Sequence, residues 1–162
     1  MDFSRLQRFE LLGIFASALL LISLFLPWYS LTDVPQRAVQ HSWVCGTGNF
    51  SCSAWDTHQI IRILLILAAA APLILSYLIV SNQDERAKYP TGEFTMTVGM
   101  AVIVLVGFNG LISKPGSTPS FGVSLDIGYW LALLAGLLMA TAGALRSLES
   151  GGGAQRKPPA TF

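Results

Sequence analysis

Charge is scarce in this chain. Asp, Glu, Lys and Arg make up 12% of its 162 residues, against roughly 25% in an ordinary soluble domain, which excludes a solvated surface over most of the molecule. The net charge of +1 carries no basic footprint for nucleic acid. Cysteine and histidine number two each. A metal set would have to come from His41, Cys45, Cys52, Asp56 and His58, yet neither C-x-x-C nor H-x-x-x-H spacing occurs, which argues against zinc. The stretch "GTGNFS" has neither the lysine nor the following helix of a phosphate-binding loop, so Gly46 and Gly48 read as turn material. Scattered loop residues make no nucleophile, base and carboxylate triad. The expectation is a protein that is no enzyme and takes no cofactor.

What the chain has instead is long apolar runs: Leu11 to Trp28, Ile60 to Val80, Phe94 to Ser113 and Ile127 to Leu145. Each is near the ~20 residues that span a ~30 Å hydrocarbon core. The fold expected is all-α, a bundle of four transmembrane helices over residues 11–28, 60–80, 94–113 and 127–145, within one domain of residues 1–146. The first run follows Arg5 and Arg8 as a signal peptide would. No small-residue cleavage pair follows it, and Trp28 and Tyr29 read as interfacial anchors of a retained helix.

Arg5, Arg8, Arg86, Lys88, Arg146, Arg156 and Lys157 fall on one side of a four-span arrangement, and Arg37, Arg62 and Lys114 on the other. By the positive-inside rule both termini are cytoplasmic, and the loops over 31–59 and 114–126 face outward. The "SNQDERAKYPTGE" connection is a solvated inner turn. Residues 147–162, with three glycines in a row and Pro158–Pro159, read as a flexible cytoplasmic tail.

The outer loop holds "SWVCGTGNFSCSAWD", with both cysteines. In an oxidising exterior Cys45 and Cys52 would pin a hairpin turning at Gly48 and Asn49, stabilising it by roughly 2 to 2.5 kcal/mol. Asp56 is placed to cap the second helix. Asn49, Phe50 and Ser51 form an N-x-S acceptor, meaningful only in a host with that machinery. Trp43, Phe50 and Trp55 are the candidate outer interaction surface, against the alternative that they cover helix ends.

Inside the spans, Gly128, Ala132, Gly136, Ala140 and Ala144 form a small-xxx-small packing stripe on the fourth run. Its partner is either Gly99, Gly107, Gly110, Gly13, Ser17, Ala68 or Ser76 within the chain, or a second copy. Pro72 bends the second run, with Ser76 placed to re-satisfy the backbone. The apolar centres contain no ionisable residue, although pumps and channels usually place one there. Arg62, Asn109 and Asp126 form the candidate polar outer mouth, Arg62 and Asp126 either bridged or separately solvated, and Asn109 an interhelical hydrogen-bond donor.

The segments "LFLPWYSL", "NFSCSAWD", "LISKPG" and "GYWLALLAGLLMATAGAL" resemble an uncharacterised family of small four-helix membrane proteins of actinobacteria. The resemblance implies four spans and a bacterial plasma membrane, and brings no activity, ligand or functional residue. A looser similarity is to the claudin layout, through Trp43, Cys45, Cys52 and Arg62. The Gly-Leu-Trp run is missing, the first loop is shorter and the cysteines are closer, so no barrier function follows. The expected role is non-enzymatic, structural or interactive, in the bacterial envelope, with the lipid bilayer and either a protein partner or a second copy as partners. The alternative is a small transport or lipid-handling protein whose path runs by Pro72, Asn109 and the outer mouth.

Overall fold

The first apolar run stops being a helix before its proline. In the computed structural model, which describes residues 8–32, 51–57, 59–81, 91–112 and 122–154, α1 is Arg8–Phe25 and a strand, β1, follows at Pro27–Thr32. Pro27 disfavours helical geometry at Leu26 and holds its own backbone extended. The expected helix over 11–28 therefore begins earlier and ends earlier. Ser23 closes the helix end, its carbonyl accepting from the Leu26 N–H at 3.3 Å and from the Trp28 indole N–H at 2.7 Å. Trp28 and Tyr29 are not interfacial anchors, because both are fully buried.

After β1 come β2 (Ser51–Ser53), the short helix α2 (Ala54–Thr57), and α3 (Gln59–Val80). Helix α4 (Thr91–Gly107) runs into a π-helical turn at Phe108–Ile112, followed by β3 (Gly122–Leu125) and α5 (Ile127–Ala154). Among the described residues four helices are long and apolar enough to cross a membrane: Arg8–Phe25, Gln59–Val80, Gly92–Leu111 and Ile127–Glu149. The fold is mostly helical but not all-α. Strands meet in a three-stranded antiparallel sheet of order β2-β1-β3 that caps one end of the bundle. Tyr29 is the hub, facing Cys52 in one ladder and Leu125 in the other.

The sheet is joined to the bundle by backbone. Asp126 donates its N–H to the Trp28 carbonyl at 2.8 Å, while its carboxylate accepts from the Ile127 N–H at 2.8 Å and its carbonyl from the Tyr129 N–H at 3.2 Å. One residue thus extends the β1–β3 pairing and caps α5. Side chains continue the joint, with the Trp28 and Tyr129 rings edge to face at 6.0 Å. Gly128 lies against this floor, where an added methyl would stand 2.8 Å from the Pro27 carbonyl oxygen.

Within the spans, large and small apolar residues share the interior, where Leu20, Leu24, Leu65 and Met139 are fully buried, but the exposed positions are mostly large. Leu67 and Val104 are more than half exposed, as are Phe15 and Leu137, while Ala16, Ser17, Ala69, Ala132 and Ala135 are fully buried. Lipid is as apolar as leucine, so close approach over small residues joins helices, and a large apolar residue can stand outside at little cost. Helix α5 packs against α4 and α1, α1 against α3, and the α3–α4 seam is the loosest, opening into an apolar groove of about 280 Å³ between Leu64, Ala68, Ala71, Phe94, Val98 and Ala101.

The α4–α5 seam departs from the expected stripe. Gly136 and Ala140 lie on it, but the next contact is Gly143, where a methyl would stand 2.7 Å from the Gly92 carbonyl oxygen, and then Ser147 against Gly92. A spacing of four advances ~40° around a helix of 3.6 residues per turn. Such a stripe drifts, so Gly128 turns toward the cap and Ala144 is only half-buried beside the seam. Helix α5 also runs to Ala154, so residues 147–154 of the expected flexible tail are helical. Leu148 and Glu149 favour helix, and Ser147 is held against α4, its hydroxyl donating to the Ala144 carbonyl at 2.8 Å. Residues 155–162 lie outside the described residues.

Candidate functional site

Two polar places stand out in the apolar frame, one at each end. At the end that carries Arg8 and Ala154, Glu10 of α1 and Arg146 of α5 form an ion pair at 3.1 Å, their side chains 6% and 20% exposed. The pair borders a cavity of about 20 Å³ that all four long helices line, with Gly13 beside Glu10, Pro72 and Ser76 from α3, Thr95 from α4 and Gly143 from α5. That is room for about one water molecule. Sequence reasoning missed Glu10, which sits one residue outside the run that began at Leu11. The signal was present: in a four-span arrangement Glu10 and Arg146 are opposite charges flanking two spans on the same side.

Pro72 sits at this cavity inside a continuous α3. Ser76 does not re-satisfy the backbone that the proline leaves open. Its hydroxyl donates to the Pro72 carbonyl at 2.8 Å, whereas the carbonyl deprived by the missing N–H is that of Ala68, four residues earlier. Ser17 and Ser23 likewise donate to carbonyls of their own helix, at 2.9 Å to Gly13 and 2.6 Å to Leu20, and Thr141 donates to Leu138 at 3.0 Å. These hydroxyls answer local backbone groups and make no polar track.

At the capped end, the residues expected at a polar mouth are dispersed. Arg62 and Asp126 are not bridged. Arg62 donates from Nη1 to the Trp55 carbonyl at 3.0 Å, and its guanidinium lies 4.4 Å above the Trp55 ring centre. Trp55 in turn stacks on Phe25 of α1 at 5.1 Å. Asp126 is occupied in capping α5, as described above. The other nearby acid, Asp56, is the third residue of α2 rather than the cap of the second long helix, and accepts from the Ser53 hydroxyl at 2.8 Å. Ser53 to Asp56 is an S-x-x-D run, the sequence form of a capping box.

Asn109 is 6% exposed in the π-helical turn, and its Nδ2 has no hydrogen-bond partner among the described residues. It is therefore not the interhelical donor expected. Next to it, Gly110 gives room to Tyr129, whose hydroxyl would stand 2.7 Å from an added methyl. Tyr29 is close to Tyr129, and burial first, then that neighbour, pushes its phenol up to about 12. It stays neutral in the physiological range and cannot serve as a base.

Of the candidate outer surface, Trp55 is 41% exposed, while Trp43 and Phe50 lie outside the described residues. Cys52 is 3% exposed on β2 and is not a free thiol. Its ladder partner is Tyr29 of β1. Cys45, Gly48 and Asn49 of the expected hairpin lie outside the described residues, as do His41 and His58. Among the described residues no three of His, Cys, Asp and Glu are grouped to hold a metal. No protein-family model matches the sequence, and no curated protein matches it.

Proposed function

We propose that this chain is a non-enzymatic multi-pass protein of the bacterial plasma membrane, with a structural or interaction role in the cell envelope and the β-sheet cap facing outward. The reading rests on the cap, which is not a loose loop. β1 pairs on both edges, Asp126 ties it to α5, and Trp28, Tyr29 and Tyr129 continue the core into it. Such a joint presents the exposed Trp55, backed by Phe25 and Arg62, on a fixed base. The transport alternative draws less support. Pro72 belongs to the cavity at the far end, Asn109 lines neither that cavity nor the α3–α4 groove, and Arg62 and Asp126 are engaged separately.

The test is affinity purification from native membranes, with wild type and Trp55→Ala compared by quantitative mass spectrometry. A stoichiometric partner held by wild type and lost from the variant is expected. Solute flux through proteoliposomes of the purified chain, with no partner recovered, would overturn the reading.

The proposed topology includes a Cys45–Cys52 bridge, since Cys52 is not a free thiol and Cys45 is the other cysteine of the chain. In intact cells a membrane-impermeant maleimide is expected to label nothing before reduction and to label the chain after it. Labelling before reduction rules out the bridge. Labelling only after lysis and reduction places the cap inside.

A further inference from the structure

We infer that Arg62, Trp55 and Phe25 form a binding site for the phosphate of an anionic phospholipid in the leaflet beside the cap. The inference deepens the envelope reading and rests on its placing the cap at the membrane surface. Arg62 lies in the first turns of α3, at the level where a spanning helix meets headgroups. Ile60 and Ile63 beside it are 76% and 51% exposed, and Phe25 is 66% exposed, so the rest of the chain leaves this apolar rim uncovered.

The guanidinium is held in place. One N–H is given to the Trp55 carbonyl, and the indole face lies beneath the plane at 4.4 Å. Among the described residues Arg62 forms no ion pair, and the carboxylates of Asp56 and Asp126 are turned to the Ser53 hydroxyl and the Ile127 N–H instead. A carbonyl and a ring face orient an arginine without cancelling it. The remaining donors of the planar fork match two oxygens of one phosphate, a geometry that a lysine does not offer. Trp55 is amphipathic, and the Phe25 ring stacks on it at 5.1 Å.

The experiment is native mass spectrometry of the full chain in detergent, titrated with phosphatidylglycerol and, separately, phosphatidylcholine. Wild type is expected to retain phosphatidylglycerol preferentially, and Arg62→Gln to bind it roughly tenfold more weakly, the scale of losing charged hydrogen bonds to phosphate. Arg62→Lys is expected to recover part of the affinity, and Trp55→Ala, which keeps the charge but removes its support, to fall between. Lys114→Gln removes an equal charge on the same proposed side and is expected to change little. Equal losses in Arg62→Gln and Lys114→Gln would reduce the effect to bulk electrostatics and overturn the site. Displacement of phosphatidylglycerol by millimolar inorganic phosphate would assign the site to a free anion instead. Wild-type lipid affinity in Arg62→Gln, with the copurifying protein partner lost, would give the surface to protein and leave the envelope role standing.

Discussion

Gly99→Ala is expected to destabilise the bundle by roughly 1 to 3 kcal/mol, the usual range for forcing a methyl into a closed interface, while Gly107→Ala leaves it unchanged or slightly more stable. Both glycines are in α4, and both replacements add the same group. At Gly99 the methyl would be driven against the backbone nitrogen of Ala140, 2.8 Å from its Cα and 2.9 Å from the Gly136 carbonyl oxygen. None of these atoms can rotate away, so α4 and α5 must separate, and the contacts at Gly92 and Gly143 loosen with them. At Gly107 nothing stands within 4 Å, and alanine is the better helix former by up to about 1 kcal/mol. Thermal unfolding of the two variants in one detergent decides the matter. Equal melting temperatures would mean that α4 and α5 are not in backbone contact.

That seam also shows what could be read from the sequence. Hydropathy locates a span because burial in lipid requires only length and apolarity, so four spans were legible before any coordinates. How each span is rotated is less legible. Lipid-facing and protein-facing positions are both apolar, and only the small residues mark the inner face. A stripe read at strict spacing of four found Gly136 and Ala140 but passed to Ala144 where the helix, turning 3.6 residues per turn, brings Gly143. The ends were less legible still. "PWYSL" reads equally as a helix end with aromatic anchors or as a strand, and its assignment to β1 depends on β2 and β3, which lie far off in sequence.

The polar residues are legible as a list, whereas the choice between a bridged and a separate Arg62 and Asp126 is not, and the structure engages them separately. Arg62 and Asp126 are charges of opposite sign at the same end, and nothing local ranks that pairing against Arg62 with Trp55. The short helix α2 decides it, turning the chain so that residues seven apart stack. Asn109 was visible as the one amide in the spans, but the π-helical turn that buries it leaves no mark in hydropathy. Glu10 was overlooked because a charge at the edge of an apolar run ordinarily ends in solvent.

The edge charge is where the second large effect is expected. Arg146→Met should cost about 3 to 5 kcal/mol, the range for leaving one member of a buried ion pair without the other. The two partners are unequal, and the effect should be too. Glu10 is the deeper, its side chain 6% exposed, beside Phe9, Gly13 and Pro72 at a cavity with room for about one water, too little to solvate a carboxylate as bulk water does. Arg146 is 20% exposed on a longer side chain and can turn toward the headgroups, so Glu10→Gln should cost only about 1 to 2 kcal/mol, the scale of a lost charged hydrogen bond. Replacing both, Glu10→Leu with Arg146→Met, should recover most of the loss, because an apolar pair of similar volume avoids desolvating either charge. Reversible unfolding of Glu10→Leu, Arg146→Met and the double variant gives the coupling directly. Additive losses would show that the charges do not pair. A double variant as stable as wild type, but with α1 more open to proteolysis or hydrogen exchange, would show that the pair fixes the register of α1 against α5 rather than adding net stability.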